Sequence, residues 1–370
     1  MKMIALRSFA PLDSRGRLSL RVLWCLVLLL LTCLASGQAR RKVVIDQDTA
    51  GPGGSNMNTL LLLLQSPQVE VLGIMVVTGD QWRDEEVVRT LRLLEIIGRT
   101  DIPVIPGAEF SLVRRRDETQ LWQERYGKVA YTGAWDDRWW HQPNVIPTLA
   151  EGSPTTKASD EDAAHFLVRT VRKYPHEVTI YEGGPMTDLA IATSIDPEFP
   201  TLAQELVFMG GSLSPQTDDP EFVNNPRHEF NFWLDPEAAK IVLRAPWKKI
   251  TCTPVDISIR THLTPAMVKE IDASGTPLAR YIARFFQPGP PFDYMWDELA
   301  AAAWIDPSII TERETRYMSV DLDQGAGYGN TLTWTDEDKS KIPARKVEIQ
   351  TDLDVEKFDR MFVELMKRRP

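Results

Sequence analysis

Lys42-Val43-Val44-Ile45-Asp46-Gln47-Asp48-Thr49-Ala50-Gly51-Pro52-Gly53-Gly54 reads as a short apolar strand that stops on two acids and passes into a glycine-rich turn. Strands covered by helices on both faces carry near-continuous apolar runs rather than alternation, and Val43-Val44-Ile45 is such a run. The pattern then repeats. A helix is expected over about 58–65, a strand over 69–77, a charged amphipathic helix over about 84–97 and a third strand over 102–105; runs at 178–181 and 206–209 look like later strands, each leading into glycines. Short β-rich runs alternating with longer helical ones predict an α/β fold, a single domain with a mainly parallel central sheet flanked by helices.

In open α/β sheets ligands sit beyond the carboxyl ends of the strands, so polar residues there carry the most information. Four such ends stand out: Asp46-Gln47-Asp48, Gly79-Asp80-Gln81-Trp82, Gly183-Gly184-Pro185 and Gly210-Gly211-Ser212. Alternation along a strand would place the Asp46 and Asp48 side chains together, and paired carboxylates favour a divalent cation or a shared proton. Two aspartates past a strand also serve as helix caps or turn residues, so this signal is weak alone. Asp297 would open the small-residue helix that follows Trp296, where the helix dipole stabilises a carboxylate. Glu229 and Asn231 combine an acceptor with a mixed donor and acceptor, a pairing suited to vicinal hydroxyls. The stretch 114–156, with Trp122, Trp135, Trp139 and Trp140 among charges and prolines, breaks the rhythm and reads as an insertion over the site. No internal repeat or linker is apparent.

Composition narrows the ligand. The 370 residues carry 52 acids against 42 Lys and Arg, a net charge of −10, which argues against nucleic acid because phosphate binding needs surplus cations. A small molecule or a cation is expected instead. The first 37 residues place Lys2, Arg7, Arg15, Arg17 and Arg21 before an apolar run at 22–34 and the small residues Ala35-Ser36-Gly37, the pattern of a secretion signal. The run is short of the ~20 residues that span a bilayer. Export to the periplasm or the extracellular medium is therefore expected, with no stable membrane anchor. Those 37 residues hold five basic groups and one acid, so the remainder has 37 basic and 51 acidic residues, net −14. Cys25 and Cys33 leave with the signal, and Cys252 alone forms no internal disulfide.

Taken together, Asp46-Gln47-Asp48, Gly183-Gly184-Pro185-Met186-Thr187-Asp188, Phe208-Met209-Gly210-Gly211, Glu229-Phe230-Asn231 with Asp235-Pro236-Glu237-Ala238-Ala239, and Asp297 before an alanine-rich helix resemble the inosine-uridine-preferring nucleoside hydrolase family. The order and spacing match from about residue 42 to the carboxyl end. The resemblance implies calcium-dependent cleavage of the N-glycosidic bond of a ribonucleoside, giving ribose and free base. It implies Asp48 as the base that takes a proton from a metal-bound water, and Asp46, Asp48, Asp297 and the main-chain oxygen of Gly183 around the Ca2+. It further implies Glu229 and Asn231, with Asn224 or Asn225, as the ribose-binding set, and Asp80 where the family often has a ribose-contacting Asn. Family members are commonly oligomeric, so a homo-oligomer is consistent with the resemblance.

The chain also departs from that pattern. The family's usual pair of aspartates after the first motif is absent, and Ser55-Asn56 stands in its place after a longer turn, with Asn56 the best candidate for the missing ligand. An amide oxygen binds calcium but brings no charge. Trp296 replaces a family His before Asp297; like Trp82, it could stack on a base but is no general acid. A second reading keeps the fold and makes the chain a nucleoside or ribosyl binding protein, or a hydrolase of another N-ribosyl ligand. A third, a haloacid-dehalogenase-type phosphatase suggested by Val44-Ile45-Asp46-Gln47-Asp48-Thr49, meets glycines at 210 and 211 where an acidic pair is needed.

Overall fold

β1 (Arg41–Gln47) lies inside the sheet, and where it stops positions the site. The computed structural model describes residues 39–337 and 343–369, and Arg41–Pro370 forms one compact unit. The segment read as a secretion signal lies outside the described residues. The remaining strands are β2 (Val69–Val76), β3 (Val104–Pro106), β4 (Val178–Glu182), β5 (Glu205–Met209), β6 (Ile250–Thr253), β7 (Ile310–Val320), β8 (Thr331–Trp334) and β9 (Arg345–Leu353). They form one nine-stranded sheet in the order β3-β2-β1-β4-β5-β6-β9-β7-β8.

The sheet is mainly parallel, as the repeated strand-helix pattern predicts. β1 pairs in parallel with both β2 and β4, with Asp46 opposite Glu182 across the β1–β4 pair. From β1 the chain builds outward to β3, then returns to add β4 on β1's other side. The gap between β1 and β4 is thus the switch point where such sheets bind ligands. The antiparallel β7 and β8, joined to the sheet through β9, were not foreseen from the sequence.

Val43 and Ile45 pack into one helical layer with Leu60, Leu94 and Leu299, whereas Val44 packs into the other with Leu167, Leu189 and Phe199. All three strand residues are fully buried, and each stabilises the fold by roughly 1.5–3 kcal/mol relative to exposure. This two-sided burial explains the unbroken apolar run.

The first helix spans Ser55–Gln65, three residues earlier than expected. Gly54 flanks it in extended conformation without a side-chain cap; the Ser55 hydroxyl instead accepts from Asp297 N at 3.0 Å and donates to the Glu298 carboxylate. Asn56 therefore falls inside the first helical turn and is buried. The turn before it needs glycine: Gly53 has φ +93°, and a Cβ there would stand 2.4 Å from the main-chain oxygen of Phe285.

The insertion holds the helix Arg116–Tyr126 and a short turn at Gly133–Trp135, and is otherwise irregular. It docks on the loop after β2, where Ala134 N donates to Gly79 O at 2.9 Å. Cys252 is buried, and burial pushes its thiol pKa up. Among the described residues no helix is long and apolar enough to cross a membrane.

Candidate active site

The carboxyl ends of β1, β2 and β4 bring a set of acids together. Asp48 stands one residue past β1, and the chain after β2 folds back on it so closely that a Cβ on Gly79 would lie 2.1 Å from Asp48 Oδ2. Asp80 N donates to that oxygen at 3.1 Å. The Asn56 amide nitrogen donates to Asp48 Oδ1 at 3.2 Å and to Asp80 Oδ2 at 2.8 Å. Asp297, at the start of the helix Trp296–Ile305, accepts from Gln47 Nε2 at 3.1 Å, and its main-chain oxygen accepts from the Tyr181 hydroxyl at 2.8 Å.

These acids lack cationic company. Burial, followed by the charges of Asp80 and Asp297, raises the Asp48 pKa well above the carboxylate range. Asp297 is raised in the same way, first by burial and then by Glu298 and Asp80. Burial also raises Asp80, although hydrogen bonds from Asn56 and Tyr131 oppose it. Among the described residues no Lys, Arg or His forms an ion pair with Asp48, Asp80 or Asp297, and the Asn56 Oδ1 and Asp297 Oδ1 atoms are buried without a hydrogen-bond partner. Buried charge left unpaired is costly, so this arrangement is suited to a cation from outside the chain.

Asp46 has different neighbours from Asp48. β1 ends at Gln47, so strand alternation does not extend to Asp48, and the expectation that both acids project together is not met. Asp46 is fully buried, and no side-chain N–H or hydroxyl donates to its carboxyl group. Beside it stand the carboxyl groups of Glu182 and Asp188, so a hydrogen bond within this trio needs a proton on one member. Burial, then the charge of Asp188, raises the Asp46 pKa.

The hydroxyl-binding candidates gather at the end of β5. Glu229 caps the helix Phe230–Leu234 and accepts from the main-chain N–H groups of Asn231 at 2.7 Å, Gly211 at 2.9 Å and Phe232 at 3.0 Å. The Asn231 amide nitrogen donates to Gly183 O at 3.1 Å and Met209 O at 3.3 Å. Asn225 exchanges two hydrogen bonds with Asn330, at 3.0 and 3.1 Å, whereas the exposed Asn224 donates to Pro220 O on its own short helix. Trp82 is buried in an aromatic cluster with Trp135 and Trp233, its indole N–H donating to His141 O at 2.7 Å. Trp296 packs against Tyr294, with ring centroids 4.5 Å apart.

Several participants carried no sequence signal. The insertion sends Tyr131 into the cluster, where its hydroxyl donates to Asp80 Oδ1 at 2.7 Å and its ring meets Phe230 edge-on at 4.9 Å. Glu86 is fully buried beside Asp48, with one carboxylate oxygen unpartnered. Gln47 was legible only as the spacer between two aspartates.

The donor chemistry fits a hard cation: carboxylates, an amide oxygen and a main-chain oxygen, with no sulfur or imidazole. Among the described residues no three His, Cys, Asp or Glu side chains already stand at ligand spacing, so an ion here would complete its shell with amide and main-chain oxygen and water.

A family profile described as inosine-uridine preferring nucleoside hydrolase matches residues 43–360. The probable uridine nucleosidase 2 of Arabidopsis thaliana is 29% identical over 277 residues, covering 73% of this chain and 76% of its own. The pyrimidine-specific ribonucleoside hydrolase RihA of Enterobacter sp. is 29% identical over 243 residues, covering 65% of this chain and 68% of its own. Among solved structures, the purine-preferring ribonucleoside hydrolase from Gardnerella vaginalis superposes with a TM-score of 0.69 at 23% identity, covering 88% of this chain and 98% of that one. That last likeness speaks for the fold.

Proposed function

The chain belongs to the inosine-uridine preferring nucleoside hydrolase family, whose members hydrolyse N-glycosyl bonds of ribonucleosides, and from that premise we propose an exported, calcium-assisted enzyme that adds water across this bond to release ribose and free base. The observation that carries the calcium-assisted reading is the pair Asp48 and Asp297, buried at the β1 end, with the half-buried Asp80 against them and no base beside the group. Calcium bound there would supply charge and Lewis acidity to a water and to sugar hydroxyls.

The chain's own groups then have separate tasks. Asp48, held by Asp80 N on one oxygen and Asn56 on the other, takes the proton as water attacks the anomeric carbon. Asp48 and Asp297 put negative charge next to a centre that becomes oxocarbenium-like, which lowers the barrier. Asn231 has its amide nitrogen committed to Gly183 and Met209, so its oxygen faces the hydroxyl-recognition task with a fixed orientation. Glu229, fixed by three main-chain N–H groups, orders the turn that carries Asn231. The apolar run at 22–34 and the small residues after it support export of this acidic chain.

The test is direct. Mature protein is incubated with a panel of purine and pyrimidine nucleosides, with calcium and after chelation, and ribose and base are measured. Release that requires calcium is expected, and amino-terminal sequencing of the exported form should place its start near residue 38. Nucleoside binding by calorimetry with no release from any member of the panel would instead establish the binding-protein reading, which the Asn56 amide on Asp48 keeps in view.

A further inference from the structure

Two departures from the family pattern, read separately in the sequence, touch each other in the fold. Asn56 stands where an acid is usual and Asp80 where an amide is usual, and Asn56 Nδ2 lies 2.8 Å from Asp80 Oδ2. We propose that the acid and the amide have changed places: Asp80 supplies the carboxylate that faces the cation, while Asn56 bridges Asp80 and Asp48 through its amide nitrogen and presents a neutral oxygen on the side away from both.

The local chemistry fixes this arrangement. The Asn56 amide has only one orientation that does not set oxygen against two carboxylates, and in it Nδ2 bridges Asp48 and Asp80. Its Oδ1 is thereby turned away from both, buried and without a partner, as is Asp297 Oδ1. Asp80 is steered from its other side, because Tyr131 donates to Oδ1 at 2.7 Å and the Asp80 main chain is tied to Asp48 Oδ2 at 3.1 Å. The exchange keeps three carboxylates, Asp48, Asp80 and Asp297, around the site. It moves one of them from the first turn of the helix Ser55–Gln65 to the loop after β2, where the insertion can reach it. Tyr131 becomes a positioning residue for that carboxylate, and the insertion becomes part of the cation site.

This inference rests on the proposed calcium dependence, and calcium titration of the intact mature protein by calorimetry separates the two. Asp80→Asn should weaken calcium binding by at least about 30-fold. The double exchange Asn56→Asp with Asp80→Asn should recover affinity to within about fivefold of wild type, because substitutions at touching residues are not additive. Tyr131→Phe, which keeps the ring against Phe230, should weaken calcium by about three- to tenfold, and it serves if Asp80→Asn does not fold. Calcium binding indifferent to Asp80→Asn, or a double exchange no tighter than Asp80→Asn, overturns the exchange while leaving the proposed function standing. Absence of calcium binding by the wild type overturns both.

Discussion

Glu85 and Glu86 are neighbours in the first turn of the helix Arg83–Ile97, and both are almost wholly buried, yet they meet opposite surroundings. Glu85 pairs with Arg89 at 2.7 Å and with His141 at 2.8 Å, and Arg89 also reaches Glu151 at 2.8 Å. Glu86 accepts one hydrogen bond, from Gln81 N at 2.7 Å, and its other oxygen has no partner. Burial, then the charge of Asp48, pushes its pKa well up. The same helix thus holds one acid that the fold neutralises and one that it does not. To Glu85 the chain brings bases; around Asp48 it brings none, and the charge is kept for something that arrives.

The sharpest break in this contrast is Asp48→Asn. Removing the proposed base should lower turnover by about 10³-fold while the thermal midpoint holds or rises, since an uncompensated buried charge is lost. A loss under about tenfold takes the base role from Asp48. Next comes Arg89→Met, which strands Glu151 and leaves Glu85 only His141, and should cost about 3–5 kcal/mol in denaturant unfolding; Glu86→Gln, measured alongside, should cost none. Equal losses would dissolve the distinction between the two acids.

The smallest effect concerns Glu95, where burial pushes the pKa up but hydrogen bonds from Thr156, Thr155 and Arg92 outweigh it and hold it down at about 2. A carboxyl depressed in the folded state stabilises the fold above its ordinary value of 4.5, and that contribution fades as pH falls from about 4.5 toward about 2. Glu95→Gln should therefore flatten the loss of stability in this range, and an unchanged profile from pH 5 to 2 would show that the contacts to Thr155 and Thr156 add nothing.

The parts of the fold legible in the sequence are those fixed by local pattern. Val43-Val44-Ile45 announced a strand covered on both faces, and its end on Asp46-Gln47-Asp48 marked one of four candidate ligand ends, which the strand order then identifies as the switch point. The start of the helix Ser55–Gln65 was misplaced because Ser55 bonds to Asp297 and Glu298 instead of closing a local cap. β7 went unread because its residues 311–314 are mostly exposed and polar, without the apolar run used to recognise the central strands. In the site, Asp48, Asn56 and Asp297 were legible from spacing and resemblance. Tyr131 was not, since nothing near residue 131 encodes a partner at residue 80, and Asp46 was given the wrong neighbours because Glu182 and Asp188 come from β4 and the helix after it.

Gln47 and Asp297 meet across 250 positions of chain. Anything held between them closes a loop that takes in most of the domain, and letting it go demands that early and late parts of the chain separate. Occupancy at this point is therefore linked to the unfolding equilibrium of the whole domain rather than to the opening of one loop. A ligand there would act as a clasp on a fold whose described residues hold a single free cysteine, Cys252, and so no disulfide to serve as one.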